Sequence, residues 1–362
     1  MIQVLLAFLG SVALTILLRQ PAHRAGLVDR PSGRKMHHAV VPVIGGIAMM
    51  FAFMAFAAIF GQSYRGLAPL LMGTLVLTIT GALDDRHDLP ARTKLLAQIV
   101  AVVFMTSWAD QVIYSLGDIG STGPVKLATW ALPFTAFTMV GVVNAMNMID
   151  GMDGLAGSVA VTALIWLAGA AALCSAAPQM DLLFLLIGAV GGFLLFNLRY
   201  PVKGRAQVFM GDAGSMALGL VLGWFAVDLT QHGGTTGKLY PISAVWILGV
   251  PILDTTYLMV RRILRGQSPF APDRRHIHHT LVVMGLSEGW ALFVILALSC
   301  MLGAIGLFGW RSGVPESVLA YGFVATFAAY CIIMQYWRPM FALARKLRRS
   351  IHHNRVSAHQ KW

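Results

Sequence analysis

Charge is the scarcest property of this 362-residue chain: 12% of its residues are Asp, Glu, Lys or Arg, where soluble domains carry about 25%. Acids are scarcer than bases, 15 Asp and Glu against 27 Lys and Arg, a formal net charge of +12. Cysteine is nearly absent. Cys174, Cys300 and Cys331 lie in apolar runs without CxxC spacing or a neighbouring His. That excludes a disulfide-stapled secreted scaffold and predicts three buried, inert thiols. Internal repeats and low-complexity linkers are missing too. What is abundant is apolar: 57% of residues, with a mean hydropathy of +0.71. Disorder and a conventional soluble enzyme are thereby excluded, and a polytopic membrane protein is left.

A helix needs about 20 apolar residues to cross a bilayer. Eleven runs qualify: 1–19, 42–60, 67–83, 92–109, 125–143, 155–176, 181–198, 213–229, 240–260, 289–308 and 316–337. The first lacks a basic leader and is followed by Arg19, Arg24, Arg30, Arg34 and Lys35, so it reads as a span and not as a cleaved signal. The runs are too long and continuous for the alternating strands of a barrel. The expectation is an all-α integral membrane protein, a bundle of about eleven transmembrane helices. Residues 1–337 form one polytopic domain and residues 338–362 a basic tail.

An odd number of spans puts the termini on opposite sides. Loops on the side of the C-terminus hold 23 of the 27 basic residues; only Arg65, Lys126, Lys238 and Arg311 fall on the other. By the positive-inside rule the C-terminus is cytoplasmic and the N-terminus periplasmic. The tail cluster Arg345-Lys346-Leu347-Arg348-Arg349 lies next to a span, so it reads as attraction to anionic lipid and not to nucleic acid.

Four polar clusters fall on cytoplasmic helix ends. Asp84-Asp85-Arg86-His87-Asp88 closes the third run. Adjacent carboxylates at a membrane boundary repel one another unless a cation joins them. They read as a Mg²⁺ or proton-transfer site, or as a solvated cap. Successive helical positions diverge by about 100°, so the pair can face two different partners. Asn144-x-x-Asn147-x-x-Asp150-Gly151-x-Asp153-Gly154 ends the fifth run, its spacing placing Asn147, Asp150 and Asp153 along one helical edge. The two glycines allow a tight turn or a close approach. Phe209-Met210-Gly211-Asp212-Ala213-Gly214-Ser215 precedes the eighth run and sets Asp212 at a helix start, where N–H groups suit an anion or Asp serves as a plain N-cap. Asp273-Arg274-Arg275-His276-Ile277-His278-His279 lacks the cysteines of a structural zinc site, and its arginines repel cations. It reads as an anion clamp with an acid/base His. Asp254, inside the ninth run, reads either as functional or as the partner of Arg261.

Together these motifs resemble the polyprenyl-phosphate N-acetylhexosamine-1-phosphate transferases. The resemblance spans nearly the whole chain. It rests on Asp84-Asp85, on Asn144 to Leu155, on Phe209 to Ser215, on the opening loop from Gly26 to Gly46, and on the His segment. Ser268 to His279 is similar to the branch that transfers to undecaprenyl phosphate from UDP-GlcNAc, since Ile277 interrupts the three consecutive His of the phospho-muramoyl-pentapeptide branch.

The resemblance implies the reaction UDP-GlcNAc + undecaprenyl phosphate → undecaprenyl-diphosphate-GlcNAc + UMP. That is the first membrane step of O-antigen or a related envelope glycan, carried out at the cytoplasmic face of a bacterial inner membrane. It implies Mg²⁺, with Mn²⁺ as a substitute, held by Asp212. Asp84, Asp85, Asp150, Asp153 and His279 are the implied catalytic set, and Asn144, Asn147, Phe209, Arg274, Arg275, His276 and His278 the substrate-binding set, with Phe209 stacking on uracil. The lipid phosphate is a nucleophile near neutral pH, its second pKa being about 6. One in-line step is therefore preferred, with an aspartyl-phosphate route left open. Another UDP-N-acetylhexosamine and a homo-oligomer stay open. A multi-pass transporter is the rival from another class; it would place its acids at mid-membrane, where only Asp228 and Asp254 fall.

Overall fold

The computed structural model describes residues 2–29, 40–199, 204–268 and 275–359, with side chains as far as residue 337. The described chain is helical apart from two short strands. Its helices are α1 (Ile2–Ala25), α2 (Gly45–Phe60), α3 (Leu67–His87), α4 (Ala91–Val103), α5 (Ala131–Ile149), α6 (Leu155–Leu173), α7 (Ala177–Asn197) and α8 (Gly211–Gln231). They continue with α9 (Pro241–Ile247), α10 (Gly249–Ile263), α11 (Ile277–Val283), α12 (Glu288–Arg311) and α13 (Glu316–His359). Strands β1 (Val28–Asp29) and β2 (Val41–Pro42) pair antiparallel.

Eight of the described helices are long and apolar enough to cross a membrane, or nine if α9 and α10, bent by 83° to each other, form one broken span. The other two apolar runs give shorter helices. Residues 42–60 yield the 16-residue α2, and 92–109 yield α4 continued by a π turn over Phe104–Trp108. The bend has a covalent cause. Pro251 cannot donate to the ladder, and its ring crowds the carbonyl of Ile247, where α9 stops. At the other end of the chain, α13 runs on as one helix to His359, past the expected tail boundary at 337.

Helix α8 is the axis of the molecule. Every residue from Ala213 to Thr230 is buried, with α3, α5, α2 and α6 packed around it and α1 outside against α7 and α2. Without a hydrophobic gradient between helices in lipid, close approach through small residues drives such packing. A Cβ on Gly46 would run into the backbone of Gly214, and one on Gly81 into Ala213. Both contacts draw α2 and α3 onto the first turn of α8. At the far end of α8, the buried Asp228 accepts from Gln111 at 2.7 Å and Gln179 at 2.9 Å. That acid is satisfied structurally.

The expected burial of all three thiols is corrected. Cys174 is buried, Cys331 is intermediate and Cys300 is exposed on α12. In a membrane bundle the outward faces are apolar as well, so an apolar run does not predict an inward side chain.

Candidate active site

The acidic clusters converge on the first turn of α8. Asp85 accepts hydrogen bonds from the backbone N–H groups of Asp212 at 2.8 Å and Ala213 at 3.3 Å. Gly211 makes room for this carboxylate: its φ is +71°, and a Cβ there would collide with Asp85 Oδ2. The N–H groups that the sequence offers to an external anion are thus taken by an internal one. Asp212 lies in the first turn but is not its cap; Asp85 serves that purpose from α3.

Asp84 faces elsewhere, as helical divergence requires. Its carboxylate accepts from the Leu89 N–H at 2.7 Å and from Lys94 Nζ at 2.7 Å. Lys94 also reaches Asp212 at 3.4 Å, linking α4 to both acids. Sequence reading counted Lys94 only as a topological charge, because its spacing from Asp84 crosses the turn between α3 and α4.

Helix α5 brings the amides and Asp150. Asn147 Nδ2 donates to Ser215 Oγ at 2.9 Å, and Ser215 donates on to the Gly211 carbonyl at 3.1 Å. Asn144 is held by Gln98, buried on α4, at 2.9 Å. Asp150 terminates α5. Burial first, and then the charges of Asp212, Asp85 and Asp153, push its carboxyl up to about 8.

Asp153 departs from the edge that its spacing predicts. The helix stops at Ile149, and the Asp153 carboxylate turns to Arg199 Nε at 2.6 Å and to the Ala206 N–H at 3.1 Å. Asn197 pins the same loop, accepting from the Gly154 N–H at 2.7 Å and donating to the Val208 carbonyl at 2.9 Å. It was missed because one Asn at the end of an apolar run reads as an ordinary helix terminus. Phe209 is fixed through its backbone, donating to Pro42 and accepting from Gly45, both at 2.9 Å.

The His segment closes the site from the side of α10 to α13. His278 is 2% exposed and packs on Gly151, where a Cβ would strike its Nε2. The close approach that Gly151 permits is therefore to His278. Neither ring nitrogen of His278 has a hydrogen-bond partner among the described residues. Burial, and then the neighbouring His279 and His276, hold its pKa down at about 3, so the ring is neutral. His279 packs against it with ring centroids 4.2 Å apart. His276 Nδ1 lies 2.7 Å from Asp254. Of the two readings of Asp254, as a functional acid or as the partner of Arg261, its contacts point away from the second: the carboxylate goes to His276, the Ile277 N–H and Tyr330. Arg275 is exposed and lines a small cleft with His279, Thr280, Val283, Met334 and Trp337. Arg274 lies outside the described residues.

Among the described residues no group of three His, Cys, Asp or Glu side chains is arranged to hold a metal ion. Mg²⁺ in phosphate sites takes one or two carboxylates and completes its shell with substrate oxygens and water. The crowding of acids that raises the Asp150 carboxyl is compatible with that mode.

Residues 67–230, from α3 to the end of α8, match the family glycosyl transferase family 4. Over 354 residues the chain is 33% identical to the undecaprenyl-phosphate α-N-acetylglucosaminyl 1-phosphate transferase of Haemophilus influenzae, covering 97% of this chain and 98% of that protein. The proteins of the same name from Salmonella typhi, 33% identical over 94% of this chain and 93% of theirs, and from Escherichia coli strain K12, 32% over 96% and 94%, are similarly close. The chain is a membrane protein of the polyprenyl-phosphate N-acetylhexosamine-1-phosphate transferase family.

Proposed function

We propose that the protein transfers N-acetylglucosamine 1-phosphate from UDP-GlcNAc to undecaprenyl phosphate, producing undecaprenyl-diphosphate-GlcNAc and UMP. One observation carries the reading. Asp85 caps the first turn of α8, Lys94 bridges Asp84 and Asp212 beside it, Asp150 ends α5 within the field of Asp212 and Asp85, and the neutral His278 packs on Gly151 in the loop that follows Asp150. The names of the relatives supply the sugar and the lipid.

A divalent cation, Mg²⁺ or Mn²⁺, held by Asp212 would offset the negative charge of the donor diphosphate. The protein's own groups do the rest. Asp85 holds the first turn of α8, and Asp212 with it, in register. Lys94 pairs with Asp84 and places a positive charge beside Asp212. Asn144, Asn147 and Phe209 form the nucleotide side; Asp153 shapes that loop through Arg199. His276, His278, His279 and the Arg274-Arg275 pair grip sugar and phosphate, the unpartnered nitrogens of His278 accepting or donating one hydrogen bond to the substrate.

Catalysis of this kind is positioning plus charge stabilisation. An oxygen of the lipid phosphate attacks the β-phosphorus of UDP-GlcNAc, and the bond from that phosphorus to the bridging oxygen of UMP breaks. Asp84 and Asp85 are both engaged, by Lys94 and by the α8 backbone. This supports direct attack over an aspartyl-phosphate. A phosphorylated enzyme trapped with UDP-GlcNAc alone would overturn that order of events.

The membrane arrangement follows. Counting the bent pair once and adding α2 and α4 gives eleven crossings, with the N-terminus periplasmic, the C-terminus and active site cytoplasmic, and the basic tail on anionic lipid. The membrane is the bacterial inner membrane, and the product opens O-antigen or a related glycan. Purified protein incubated with undecaprenyl phosphate, Mg²⁺ and a panel of UDP-sugars tests the reading. UMP release with UDP-GlcNAc is expected; UMP release only with another UDP-N-acetylhexosamine would reassign the sugar.

A further inference from the structure

The buried carboxylate of Asp254 is engaged by three groups at once. It lies on α10, just past the bend, and is 1% exposed. Its Oδ2 faces His276 Nδ1 at 2.7 Å. Its Oδ1 accepts from the Ile277 N–H, at the start of α11, at 3.0 Å and from the Tyr330 hydroxyl of α13 at 2.7 Å. A carboxylate accepts, so this contact is a hydrogen bond when His276 Nδ1 carries the proton. A carboxylate in an apolar bundle is tolerable when donors surround it. Of the donors here, Tyr330 comes from the helix with the least reason to take part. Only 22% of the most apolar stretch of α13 is buried, yet Tyr330 turns inward, its ring edge-on to Tyr257 at 5.9 Å. Phe would fill that volume; the hydroxyl adds only the bond to Asp254.

We infer that Tyr330 is a positioning residue for His276, acting through Asp254, so that the last helix fixes the tautomer and orientation of the His segment. The inference rests on the reading that this segment serves phosphosugar transfer. The groups facing the pair are Tyr330 and Tyr257, the stacked ring of His278 with centroids 5.6 Å from that of His276, and Arg261 and Arg275 near Tyr257. His232 and Asp228 belong to the opposite end of α8 and take no part.

Full-length Tyr330→Phe and Asp254→Asn in detergent or vesicles test this by the pH dependence of kcat. Loss of one donor concentrates charge on the carboxylate, which then favours the imidazolium more strongly. The limb that reports His276 should move to higher pH in Tyr330→Phe by about half a unit or more. In Asp254→Asn, where the charge is gone, the same limb should move to lower pH. A loss of about 10-fold in kcat with KM for UDP-GlcNAc near wild type should accompany the first change. Nitrogen NMR of labelled histidine, with His276→Gln for assignment, should show a fixed Nδ1–H tautomer in the wild type, the same tautomer with a shifted Nδ1 resonance in Tyr330→Phe, and tautomer exchange in Asp254→Asn. Unmoved limbs, or reduced activity with a lower Tm and an unchanged histidine spectrum, would overturn the positioning role. Wild-type protein that releases no UMP would instead sink the functional reading, while the NMR comparison still decides the inference.

Discussion

Asp85 accepts the backbone N–H of Asp212 at 2.8 Å, so one acid of α3 holds the helix turn that presents another acid on α8. Asp85 is therefore a cap supplied in trans. Its neighbour Asp84 has a separate task with Lys94.

Replacing Asp85 should affect stability and activity together. Asp85→Ala leaves two N–H groups of α8 unpaired and should cost about 1 kcal/mol as lost caps do. Activity should fall about 10- to 100-fold, as when a group orienting a ligand-bearing residue is lost. Asp85→Asn keeps an acceptor oxygen and should retain most of the Tm. Thermal melts beside UMP-release rates check this; a wild-type Tm for Asp85→Ala would contradict the cap.

Lys94 should behave as the partner of a buried carboxylate. Lys94→Met strands Asp84, which is 8% exposed, and an unpaired buried charge is strongly destabilising. The partial exposure of Lys94 moderates the loss. The double variant Lys94→Met/Asp84→Asn should recover Tm relative to Lys94→Met, without recovering activity. Additive losses in Tm would show that the two residues do not interact.

Asp150 predicts the pH dependence of metal-free stability. Its folded carboxyl is pushed up to about 8 from an ordinary carboxylate value, so between those limits the folded state binds the extra proton. Stability should fall as pH rises through that window. Asp150→Asn should flatten the slope. Mg²⁺ with the donor nucleotide should flatten it in the wild type by relieving the charge of Asp212, Asp85 and Asp153. Melts in chelator at acid, neutral and mildly alkaline pH measure it, and equal slopes for wild type and Asp150→Asn would contradict the crowding of acids.

Gly151 separates the acid loop from His278 by contact alone. Gly151→Ala should push the two apart and cut kcat by about 10-fold or more, since small displacements of reacting groups are costly. Adding His278→Ala should restore the melting temperature lost in Gly151→Ala, leaving activity low. An unperturbed Gly151→Ala enzyme would contradict the packing.

Much of this was legible along the chain. Long apolar runs mark the spans because each crossing must satisfy its own backbone, and the acids stand out because charge is otherwise so scarce. Partnerships were less legible. Lys94, Asn197 and Tyr330 act across turns and between helices, at sequence separations no periodicity reports. Asp153 left its expected edge because α5 stops at Ile149 and Arg199 offered an ion pair. The eleven runs differ from the long helices where Pro251 breaks one and where α2 and α4 are short.

The most direct test follows the donor phosphate. Purified protein is given undecaprenyl phosphate, Mg²⁺ and UDP-GlcNAc labelled in its β-phosphate, with Asp212→Asn as control. The account predicts label in the lipid product, UMP in solution and neither with the variant. Label left in soluble UDP, with unlabelled sugar on the lipid, would contradict it.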